Sequence, residues 1–92
     1  MDCDKKFTLI TGTFSAGDAK EILMSLIGSK ITFHTIRNLS KRERDGTVDS
    51  HSVTRINELT ETRKHILDLL EKMGKENRSI NISSDIHIYV DE

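Results

Sequence analysis

Residues Ile80 to Val90 read INISSDIHIYV. Ile80, Ile82, Ile86, Ile88 and Val90 alternate with Asn81, Ser83, Asp85, His87 and Tyr89. Side chains of a strand point to opposite faces in turn, so this pattern predicts a strand with one apolar and one polar side. Ser84 is the one polar residue on the apolar side, and the alternation runs on through it. One long strand is therefore favoured over a hairpin turning at Ser83-Ser84-Asp85. A sheet containing this strand has one covered face and one wet face.

Upstream lies the strongest helical signal, from about Ser50 to Met73. Ile56, Leu59, Arg63, Ile66, Leu70 and Met73 recur at steps of three and four, with Leu67 beside them. Gly74 supplies a stop. Arg63 falls in the middle of this apolar stripe. Its methylenes suit the edge of a core, and its guanidinium suits water or a carboxylate; the functional alternative is a partly buried cation aimed at an anion.

At the other end, Phe7 to Phe14 (FTLITGTF) reads as a strand rich in aromatic and β-branched residues. Ser15, with Asp18 three residues on, has the form of a capping box. A helix then carries Ala19, Ile22, Leu23, Leu26 and Ile27 on one stripe, with Gly28 as its stop. Ile31 to Arg37 (ITFHTIR) has strand composition. Residues 38–50 have no apolar period and read as a long charged loop.

These elements predict a β-α-β-α-β order: an α/β (α+β) two-layer sandwich, with a three-stranded mixed sheet and both helices on one face. The 92 residues suit a single domain over 1–92, with a loose N-terminus at 1–6. With the hairpin alternative the order would be βαβαββ. That order resembles the topology of small nucleic-acid-binding domains of the Alba and initiation-factor C-terminal types.

Composition narrows the function classes. Fourteen basic and fifteen acidic residues give a net charge of −1, unlike the basic balance of many nucleic-acid binders. One cysteine, Cys3, excludes an internal disulfide and suits a cytoplasmic location. No apolar run is long enough to span a membrane. The segment GTFSAG (Gly12 to Gly17) lacks the lysine of a phosphate loop, and Asp18 would repel phosphate at that helix start. Ser15 lacks the small residue two positions earlier that a nucleophile elbow needs, Thr13 standing there. His34, His51, His65 and His87 show no paired metal-ligand spacing. The sequence thus implies no cofactor, no metal and no catalytic constellation.

Two surfaces remain as expectations. On an open sheet face, His34, Ile36, His87 and Tyr89 would form a mixed aromatic and polar patch suited to a protein partner or to self-association. In the 37–45 segment, Arg37, Lys41, Arg42 and Arg44 outnumber Glu43 and Asp45. With Arg63 they are candidate anion contacts, and nucleic-acid backbone is the alternative partner there. The main expectation is a small non-enzymatic interaction module, possible as a homodimer. A small-ligand or acid–base site on the open face is the remaining alternative.

Overall fold

The fold is known from a computed structural model, which describes residues 5–90. Strand β1 (Lys5–Phe14) leads into helix α1 (Ala16–Asp45), followed by helix α2 (Ser50–Lys75) and strand β2 (Ile80–Ile88). The two strands pair antiparallel into a two-stranded sheet. The order is β-α-α-β, which overturns the predicted three-stranded β-α-β-α-β sandwich.

The error lies in one segment. Ile31 to Arg37 continues α1 instead of forming a strand, and the expected 38–50 loop is helical as far as Asp45. Gly28 sits inside the helix, and nothing lies within 4 Å of where its Cβ would be. Its cost, about 1 kcal/mol relative to alanine, is too small to stop a helix held by packing. Residues Ala19, Leu23, Ile27, Ile31, His34, Asn38 and Lys41 are buried or half-buried. Their steps of four and three carry one helical face across the whole segment.

The ends of the elements follow local chemistry. Ser15 caps α1, its Oγ accepting from the Asp18 amide at 3.1 Å, as the capping-box form predicts. Gly46 closes α1 in the left-handed region (φ 71°) and donates its N–H to the Arg42 carbonyl at 2.8 Å. Asp49 caps α2. Asn77 takes a positive φ of 54° after α2, where Asn is tolerated, and turns the chain into β2. Gly74, near the end of α2, approaches Ala16 at the start of α1: a Cβ there would lie 3.4 Å from the Ala16 Cβ. The helices therefore form an antiparallel hairpin.

The sheet register explains an irregularity in β1. Phe7 lies opposite Ile86 and Thr8 opposite Asp85, but Ile10 is opposite Ser84. Leu9 is the extra residue of a β-bulge. The bulge reverses the parity of the strand, so Phe7 shares a face with Ile10, Gly12 and Phe14. Opposite them stand Ile86, Ser84, Ile82 and Ile80. The other face holds Lys6, Thr8, Thr11 and Thr13 against His87, Asp85, Ser83 and Asn81. Apolar and polar residues are segregated except for Ser84 and for Lys5, which stands opposite Ile88 at the end of the apolar face. The single long strand at Ile80–Ile88 matches the alternation in sequence.

Little of this apolar surface is enclosed. Among the described residues, the buried apolar side chains are Ala19 and Leu70 alone. The molecule measures 50 × 35 × 14 Å. Its shortest dimension is under half the roughly 30 Å diameter of a small compact domain. Its radius of gyration is 16.7 Å, against about 12 Å for a compact chain of this length.

Candidate functional site

The residues singled out in the sequence do not gather into one patch. His34 faces α2 from the middle of α1 and is 5% exposed, so it is absent from any open sheet face. Its placement on a strand is corrected together with the 31–37 segment. Ile36 lies on α1, largely exposed. His87 stands on the polar side of the sheet, and Tyr89, just past the end of β2, stacks on it with ring centroids 6.3 Å apart.

Arg37, Lys41 and Arg44 fall at i, i+4 and i+7 on α1. With Ile36, Ser40 and Asp49 they line an open cavity of about 390 Å³. Carboxylates already attend all three cations. Arg37 Nε is 3.8 Å from Asp49 Oδ2, Lys41 Nζ is 3.4 Å from Asp45 Oδ2, and Arg44 Nε is 3.6 Å from Asp45 Oδ1. Arg42 is exposed in the last turn of α1. Arg63 is half-buried on α2, in line with the apolar stripe. The basic segment is thus a salt-bridged helix end, where the sequence reading has a charged loop.

A polar cluster that sequence reading did not find closes the helical hairpin. Asp49 holds both backbone and side chain of Ser52: its Oδ1 accepts from the Ser52 amide at 3.3 Å, and its Oδ2 from the Ser52 hydroxyl at 3.0 Å. Asn38 Oδ1 accepts the Asp49 amide at 2.9 Å, tying α1 to the cap of α2. His34 Nδ1 lies 3.3 Å from Ser52 Oγ. Because the hydroxyl proton goes to Asp49, His34 serves as the donor through Nδ1–H. That tautomer is assigned from the network. It leaves Nε2 buried, with no partner among the described residues.

Serine, histidine and aspartate are here in a non-catalytic order. The carboxylate holds the hydroxyl, so the imidazole is not placed to take the hydroxyl proton. Ser52 is also 0% exposed and out of reach of a substrate. The cluster joins the two helices. Among the described residues, no group of three or more His, Cys, Asp or Glu is placed to hold a metal. Cys3 lies outside the described residues.

Burial lowers the pKa of His34 below its ordinary value of 6.5, and Lys30, His51, Arg55 and Arg37 push the same way. The Ser52 hydroxyl lowers the Asp49 carboxyl, with burial opposing it and the Ser52 amide, Arg37 and His51 assisting. For His34 the unfolded chain binds its proton at a higher pH than the folded chain does. Its contribution is therefore intact above about pH 6.5 and shrinks as the pH falls below that value. Urea midpoints measured at pH 8 and pH 5.5 should fall on acidification. His34→Gln should show a smaller fall, and equal falls would remove His34 as the cause.

A further exposed feature is apolar. Leu9 and Ile10 of β1 line a cavity of about 350 Å³ with Glu21, Ile22, Ser25 and Leu26 of α1. The sheet and α1 therefore meet along an apolar seam that is open to solvent. Seven residues beyond Leu26, Phe33 continues that side of α1, and Ile36 follows. Lys30 and Arg37 rim the Phe33 ring, 5.2 and 5.7 Å from its centroid. Among the described residues, no helix is long and apolar enough to cross a membrane. No protein-family model, curated protein or solved structure matches the chain.

Proposed function

We propose that the chain is a non-enzymatic protein-interaction module whose working form is a homodimer. The observation that carries this reading is area. The chain exposes 7040 Å². A compact chain of 10.5 kDa exposes about 5,400 Å², so roughly 1,600 Å² is in excess. If two copies each hid that excess, about 3,200 Å² would be buried, within the range of obligate homodimers. A second copy is also the one partner present wherever the chain is made. The single cysteine suits a reducing compartment, and the reading includes a cytoplasmic location.

Light scattering coupled to gel filtration tests the proposal. The expected mass is twice the 10.5 kDa of one chain, from micromolar concentration upward. A folded, cooperative 10.5 kDa species throughout that range would overturn it.

A further inference from the structure

We infer that the two copies meet face to face through one continuous surface, made of the apolar side of the sheet and the outer stripe of α1. This rests on the homodimer reading and assigns its interface. The solvent side of the dimer is then the outer face of α2.

Burial along the sheet supports the assignment. Next to the helix junction, Ile10, Gly12, Phe14, Ile80, Ile82 and Ser84 are half-buried. The polar-face residues beside them are exposed, so the apolar side is the one turned toward the helices. Farther out, Phe7, Ile86 and Ile88 are 52%, 40% and 52% exposed. Along α1 the exposure grows in the same way. Ile22 is half-buried, and Leu26, Phe33 and Ile36 rise through 40%, 49% and 57%. Cover is lost on both elements with distance from the Ser15 joint, and the seam at Leu9, Ile10, Ile22 and Leu26 connects them. This chain thus leaves bare two apolar walls that share one origin. An isologous contact puts the same patch of each copy against the other, which covers both walls at once.

The outer side of α2 has a different character. Glu58, Glu61, His65, Asp68 and Lys72 are exposed there, with Leu69 the large apolar side chain among them. A lone apolar residue in a charged face is ordinary surface. The exposed large apolar side chains concentrate on the sheet-and-α1 side, with Lys30 and Arg37 beside Phe33 and Lys5 opposite Ile88 at its edges, the placement of charge expected at an interface rim.

The test pairs two variants with a footprint of the unmodified protein. Phe33→Asp combined with Ile36→Asp should weaken association about a thousandfold, as loss of two central apolar anchors does. Leu69→Asp should leave it unchanged. Both are read by light scattering across a dilution series. Carbene labelling of the wild-type dimer should spare Phe7, Phe33, Ile36 and Ile86 while modifying Leu69, and it decides the matter even if the double variant does not fold. A wild-type monomer would overturn the homodimer reading itself. A wild-type dimer with Phe33 and Ile36 fully labelled, or one dissociated by Leu69→Asp alone, would overturn only this assignment of the face.

Discussion

A thousandfold dilution, from 100 µM to 0.1 µM chain, should lower the apparent stability by about 4 kcal/mol. The reason is mass action. Two buried apolar residues among those described cannot offset the conformational entropy of ordering some ninety residues. If the missing burial comes from a second copy, folding and association are one equilibrium, and each tenfold dilution removes about 1.4 kcal/mol. With a urea slope of about 2 kcal/mol/M, the midpoint should fall by roughly 2 M over that range. Circular dichroism at 222 nm follows it, since α1 and α2 together carry 56 helical residues. A midpoint that does not move with concentration would mean that one chain folds alone.

The parts of the fold that were legible in sequence are those with one dry face. In β2, Ile80, Ile82, Ile86 and Ile88 keep one parity through Ser84, and the strand formed as one piece, ending at Ile88 where the sequence reading carries it to Val90. The α2 stripe from Ile56 to Met73 faces one neighbour, α1, and also formed as read. The β1 sequence, FTLITGTF, alternates imperfectly. Its imperfection carries information: Phe7 at an odd position and Ile10 and Phe14 at even ones mark the bulge at Leu9 that puts all three on one face.

Helix α1 hid its nature because two of its sides are apolar. One side, with Leu23, Ile27, Ile31 and His34, meets α2; the other, with Ile22, Leu26, Phe33 and Ile36, faces outward. Superposed, the two stripes make ITFHTIR look like a β-branched and aromatic run, and strand composition then outweighs a period that is present but doubled. The polar continuation from Asn38 to Asp45 lost its helical signal for the opposite reason, having no apolar side. Its Lys and Arg are good helix formers, and Lys41 pairs with Asp45 at i,i+4. The His34–Ser52–Asp49 cluster was out of reach until α1 was continuous, because it spans both helices. Its visible trace was Asp49 three residues before Ser52, the spacing of a helix cap.

Replacing Leu70 by alanine should cost about 3 kcal/mol per chain, near the middle of the range for a buried leucine. Leu70 is 5% exposed, and its surroundings cannot close over a gap. Ala16, Gly17 and Lys20 of α1 line the adjoining cavity with Leu67, Leu70 and Glu71. Two of those α1 residues carry no side chain beyond Cβ, and Gly74 already approaches Ala16 closely enough to limit further movement of the helices. The neighbouring Leu69, 52% exposed, supplies the control: Leu69→Ala should change stability by under about 0.5 kcal/mol. Urea midpoints at one fixed chain concentration compare the two. A Leu70→Ala effect no larger than that of Leu69→Ala would mean that the two helices are not held by this contact.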